Sequence, residues 1–133
     1  MARSTTRRYR GAVGKVEIGR VYGSHDWTPD QAVLVDRLWP RGVRKDGAPF
    51  GLWLKEVAPS PELRKWYGHV PERFREFARR YRVELQADPA LSALQRLKDM
   101  AASGPGPVVL VTASKDLDHS EAAVLREVLT SAR

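Results

Sequence analysis

The sequence predicts a single small α/β domain: a mostly parallel sheet of about three strands flanked by four to five helices. Three observations carry this expectation. Two continuous apolar, β-branched runs, AVLV (32–35) and VVLV (108–111), have the composition of strands buried on both faces. Between and after them stand segments with apolar residues at helical spacing, each opened or closed by capping residues. Two strands separated by helices are the connection that parallel pairing requires. With 133 residues the chain has enough length for one core.

Taken in order, residues 1–14 form a basic tail without apolar periodicity and are expected to be flexible, with the domain running over 15–133. KVEIGRVY, with Val16, Ile18 and Val21, reads as the first strand. A turn-rich stretch over 24–30 leads into AVLVDRLW as the second, and Lys45-Asp46-Gly47 breaks the chain again. Ser60 followed by Pro61 and Glu62 is an N-cap with proline in the first turn, and Gly68 supplies the stop, so a helix spans about 61–67. The next helix, PERFREFARRYRVELQ, sets Phe74, Phe77, Ala78, Tyr81 and Leu85 on one stripe flanked by five arginines. Asp88 and Pro89 start a third, with Leu91, Leu94, Leu97 and Ala101 inside and Gly104 at its end. Pro105-Gly106-Pro107 forces a turn into the third strand, VVLVT, and Asp118 with Glu121 three residues on resembles a capping box for a final helix. Trp53 and Trp66 are placed on helices, in the core.

Composition excludes several classes of chemistry. There is no cysteine, hence no disulfide, thiolate zinc site or cysteine nucleophile. The three histidines, His25, His69 and His119, do not have metal-ligand spacing, so neither a metal nor a cofactor is expected. No apolar run approaches the ~20 residues of a membrane span, and the arginine-bearing N-terminus has no apolar stretch behind it, so no membrane partner and a cytoplasmic location are expected. The net charge of +7 is uneven: +5 over residues 1–22, +4 over 23–82 and −2 thereafter. Such asymmetry suits a polyanion or a phosphorylated ligand on one side, or simply a soluble surface.

If the second and third strands lie side by side and parallel, their C-terminal ends open onto one edge, where ligands of α/β sheets usually bind. That edge would gather Asp36, Arg37, Trp39 and Arg41 with Ser114, Lys115, Asp116 and His119. Arg37, Arg41 and Lys115 suit a phosphate or carboxylate, Arg by bidentate bonds and Lys as a point charge. Asp36 and His119 are the candidate acid and base. Each has a structural alternative. Asp36 and Arg37 suit an ion pair equally well, His119 a cap, and Asp116 a cap or a carboxylate orienting His119. Trp39 fits either a stacking platform for a flat ligand or a hydrophobic plug under the sheet edge. Lys55 reaches the pocket or pairs with Glu56.

VYG, VLVDRLWPRG, LWLKEVAPSPELRKWYGH, PERFREFARRYRVEL and LVTASKDLDHSEAAVL, in that order, resemble the YeaO-like branch of the bacterial domain of unknown function family 488 over roughly residues 15–130. The resemblance implies a compact α/β fold. It also implies family-typical positions at Asp36, Arg37, Trp39, Pro40, Arg41, Gly42, Trp53, Lys55, Trp66, His69, Lys115, Asp116 and His119, without an activity. Val70 stands where relatives carry a capping-type Asp.

Two function classes therefore stand. One is a basic pocket at the C-terminal edge of the sheet for a phosphorylated or otherwise anionic small molecule or nucleotide, with or without catalysis. The other is a noncatalytic DNA- or RNA-binding module using the basic tail and the arginine-rich helix nonspecifically, although no nucleic-acid-binding motif accompanies it. A protein-interaction domain would instead show an exposed apolar patch. The oligomeric state is not encoded in any of these features.

Overall fold

The computed structural model describes residues 15–131. The basic tail expected over 1–14 lies outside them. Four strands form one all-parallel sheet in the order β1-β4-β2-β3: β1 Val16–Arg20, β2 Ala32–Leu34, β3 Leu52–Trp53 and β4 Val108–Thr112. Four α-helices follow the predicted succession: α1 Pro61–Tyr67, α2 Phe74–Glu84, α3 Ala90–Ser103 and α4 Glu121–Thr130. Short 3-10 turns occupy Pro29–Gln31, Lys55–Val57, Pro71–Arg73 and Leu117–His119.

The predicted pairing of the two apolar runs holds, with Ala32 opposite Val109, Val33 opposite Leu110 and Leu34 opposite Val111. Successive side chains of a strand point to opposite faces, so each run feeds two cores at once. Val33, Val35, Val108 and Leu110 face the helices and join Phe77, Tyr81, Leu97 and Leu125. Ala32, Leu34, Val109 and Val111 face away and join Val21, Ala48 and Phe50, with Trp27, Trp39 and Trp53 packed around them. All four helices therefore lie on one side of the sheet, and loops carrying aromatic rings cover the other. Val33, Leu34, Val35, Leu110 and Val111 are fully buried, as strands covered on both faces must be.

Several expectations are corrected. The second strand is shorter than AVLVDRLW: after Val35, whose amide still donates to Val111 O at 3.0 Å, the chain bends out of the sheet. The polar residues from Asp36 onward turn to partners at the sheet edge, and Leu38 is 60% exposed. A fourth strand, β3, was not expected, and Trp53 lies on it rather than on a helix. Two residues leave no periodic trace in a sequence. Its pairing is extended at both ends by Gly51 N–H to Ala32 O, 3.1 Å, and Leu54 N–H to Leu34 O, 2.9 Å. The last helix is capped by Ser120, whose Oγ accepts from Ala123 N, and not by Asp118, which precedes the 3-10 turn's end.

Other local signals act as the sequence indicates. Ser60 Oγ accepts from Leu63 N and Gly68 closes α1 at φ +55°. Asp88 accepts from Ser92 N at 2.9 Å. Val70 offers no side-chain cap, and α2 is entered through a 3-10 turn.

Gly19 marks the tightest point of the helix-free face. A Cβ there would lie 2.6 Å from two ring carbons of Trp27. That indole is pinned by its N–H to Pro49 O, 2.8 Å, and cannot swing away freely. Gly19→Ala is expected to cost about 1–3 kcal/mol by overpacking. Urea unfolding of the variant measures it; a midpoint equal to that of the wild type would mean that Trp27 is not fixed against β1.

Candidate functional site

The C-terminal ends of the central strands open into a cavity of about 320 Å³. Of the residues predicted to meet there, Asp36, Arg37, Trp39, Arg41, Ser114 and His119 line it, whereas Lys55, Lys115 and Asp116 do not. Its wall also takes Tyr22, Arg64, Tyr67, His69, Thr112 and Glu121 from other elements. Buried residues, Tyr67, Phe77, Thr112 and Ser120, form the floor, and exposed ones, Leu38, Arg41, Arg64 and His69, form the rim.

Asp36 leaves β2 directly beside the end of β4 because the two strands are in register. Its Oδ1 accepts from Thr112 Oγ1 at 2.7 Å and its Oδ2 from Ala113 N at 2.8 Å. Thr112 is 1% exposed, so a buried hydroxyl is satisfied by this bond. Glu121, the first residue of α4, brings its Oε2 to 3.3 Å from the same hydroxyl. Burial, then the charge of Asp36 and a hydrogen bond shared with it, push the Glu121 carboxyl well above its usual range and favour its neutral form. Two carboxyls thus stand together at the inner end of the cavity.

Arg37 does not pair with Asp36. Its Nε donates to Pro59 O at 3.3 Å and its Nη2 to Ala58 O and Pro59 O, each at 3.2 Å. These bonds tie the segment leading into α1 to the end of β2. The neighbouring guanidiniums differ: among the described residues neither Arg41 nor Arg64 has a hydrogen-bond or ion-pair partner for its side chain. Arg41 sits at the tip of a turn closed by Val43 N–H to Pro40 O, 3.3 Å, in which Gly42 takes φ +80°. That conformation favours glycine. Tyr22 Oη donates to Arg41 O at 2.8 Å and ties this turn to the chain beyond β1.

His119 Nδ1 lies 2.7 Å from Asp116 Oδ2, so Asp116 orients the imidazole from outside the cavity. The buried Tyr67 donates to His119 O at 2.7 Å, and its ring stacks on Phe77 with centroids 4.4 Å apart. Burial, then the Asp116 and Glu121 charges, raise its phenol. His69 follows the left-handed Gly68 with its own φ at +59°, rare for a residue with a Cβ and of a kind that clusters at functional sites. Trp39 takes the plug geometry: its Nε1–H donates to Val43 O at 2.6 Å and its ring meets Phe50 and Trp53 edge-on at 5.1 and 5.4 Å. Lys55 Nζ lies 5.2 Å from the centre of the Trp53 ring instead of reaching the cavity.

Sequence reasoning did not place Arg64, Tyr67, His69, Thr112 or Glu121 here. A signal existed for two of them. Thr112 is the one polar residue ending an apolar strand, and Glu121 starts the helix that follows the same strand's loop.

The fold and cavity define a small α/β protein with a parallel sheet and a mixed arginine and carboxyl pocket at its C-terminal edge. The chain belongs to domain of unknown function family 488: the family model described as "Inactive DUF488-N3 subclade" matches residues 15–133. An uncharacterized protein of Mycobacterium tuberculosis is 49% identical over 115 residues, spanning 86% of this chain and 93% of the relative. An uncharacterized protein of Mycobacterium bovis gives the same figures. The uncharacterized protein YeaO of Escherichia coli is 34% identical over 117 residues, 87% of this chain and 97% of YeaO. No solved structure matches the chain. Among the described residues no helix is long and apolar enough to cross a membrane.

Proposed function

We propose that the cavity binds the phosphate of a small phosphorylated molecule or nucleotide without turning it over. The observation that carries this reading is the pair of side chains on the rim, Arg41 and Arg64, whose guanidiniums have no partner among the described residues. Guanidinium forks match phosphate oxygens bidentately. The description of the matching subclade as inactive supports binding over catalysis. So does the engagement of Asp36 and His119 in holding β4 and the loop before α4.

The nucleic-acid reading has less support in the arginine-rich helix. Arg79 and Arg80 both bond Glu76, holding that carboxyl down at about 2, and Arg82 bonds Glu127 at 2.7 Å. Arg73 donates to Trp66 O, and Arg73 and Arg80 lie over the Trp66 ring at 5.3 and 4.4 Å. Much of that helix's charge is thus compensated within the fold.

Calorimetric titration with inorganic phosphate tests the proposal. Saturable binding is expected, weakened about 10- to 100-fold by Arg41→Ala or Arg64→Ala, the equivalent of one charged hydrogen bond of roughly 1.5–3 kcal/mol. Both variants should melt near the wild type. Arg37→Ala should lower the melting temperature, since it frees the carbonyls of Ala58 and Pro59. Absence of saturable binding, or unchanged affinity in both rim variants, would overturn the proposal.

A further inference from the structure

We infer that the ligand is a hydroxyl-bearing phosphate, a sugar or polyol phosphate, whose phosphate meets the arginine rim and whose hydroxyls meet Asp36 and Glu121 beside Thr112. The inference rests on the anion-binding reading and adds to it the chemistry of the inner end. The Asp36 carboxylate at the inner end repels an anion, so that end suits an uncharged, hydroxylated part of the ligand while the rim takes the phosphate.

Asp36 and Glu121 line the cavity together. Each Asp36 oxygen accepts one hydrogen bond from the protein, from Thr112 Oγ1 and Ala113 N, while a carboxylate oxygen has two lone-pair sites. Of the two positions that remain, one takes the hydrogen bond shared with Glu121, and the other is left for a donor that carries no negative charge. Glu121 in its neutral form spends its proton on Asp36 and keeps acceptor positions on its oxygens a short step away. A neighbouring pair of alcohols donates one hydrogen bond to each carboxyl without bringing a negative charge to Asp36, as a phosphate would. Ser114, on the loop after β4, adds a hydroxyl to the same wall. The volume of about 320 Å³ falls at the small end of ligand pockets and suits a five-carbon sugar phosphate.

The test compares ribose 5-phosphate, ethyl phosphate and inorganic phosphate by calorimetry on the wild-type chain. Ribose 5-phosphate is expected to bind at least tenfold more tightly than ethyl phosphate, which has a similar charge and no hydroxyls. In Asp36→Asn and Glu121→Gln that ratio should fall below threefold. Equal affinities for the two organic phosphates on the wild type, with both still dependent on Arg41 and Arg64, would overturn the inference and leave the anion-binding reading standing. If none of the three probes binds, the anion-binding reading itself falls. The wild-type comparison needs no variant to fold.

Discussion

Asp36→Ala is expected to unfold more easily than the wild type by about 2–4 kcal/mol. The side chain accepts from Thr112 Oγ1 and Ala113 N, and its removal leaves both donors without that acceptor at the edge of the sheet. A buried unsatisfied donor costs roughly 1–3 kcal/mol. Thr112 is almost wholly buried and keeps only the longer contact of 3.3 Å to Glu121 Oε2, whereas Ala113 is partly exposed and recovers some of its loss from water. The same carboxyl joins the ends of β2 and β4, so its loss also loosens the cavity floor. Asp36→Asn keeps one carbonyl acceptor and should lose less. Urea unfolding at constant m-value reads both effects. An Asp36→Ala midpoint equal to that of the wild type would show that the floor of the cavity contributes nothing to the fold.

Glu121→Gln is expected to gain stability over the wild type as pH rises. The folded-state pKa of Glu121 is raised by burial and by Asp36, above an unfolded value near 4.5. Between those two values the folded chain holds a proton that the unfolded chain has released, so unfolding becomes easier with increasing pH, by about 1.4 kcal/mol for each unit of the window. Below about pH 4.5 the group is neutral in both states and the full contribution is present. Glutamine does not titrate and keeps a donor and an acceptor toward Asp36 and Thr112. The difference in melting temperature should therefore be small at pH 4 and widen upward from there, at roughly 3–5 °C per kcal/mol for a chain of this size. Groups common to both proteins, Asp36, Tyr67, Tyr81 and His119 included, cancel in the difference to the extent that they do not couple to position 121. Parallel stability curves from pH 4 to 8 would show that Glu121 is not held in its neutral form.

Much of the site is legible in the strand ends. Asp36, Arg37, Arg41, Ser114 and His119 follow two apolar runs, and once those runs are parallel neighbours, whatever follows them shares an edge. Lys115 and Asp116 share that chain segment yet face outside the cavity, because position along a loop does not set the direction of a side chain. Arg64 and His69 could not be assigned from local pattern. They arrive on α1 and its C-terminal turn, which Arg37 holds against the site through Ala58 and Pro59.

The sequence alone determined what local physical chemistry can determine. The fully apolar runs required strands covered on both faces, Ser60, Gly68 and Asp88 marked helix ends, and the stripe Phe74, Phe77, Tyr81 and Leu85 marked the inner face of α2. Only the tertiary structure decided that all four helices share one face and that Trp27, Trp39, Phe50 and Trp53 close the other. The same holds for the two-residue strand β3, and for the separation of Arg37, which ties backbone, from Arg41 and Arg64, which line an open rim. The reason is range: caps and periodicity act within a few residues, whereas a cavity's lining and the pKa of Glu121 depend on groups brought together from Asp36 and Thr112, far apart in the chain.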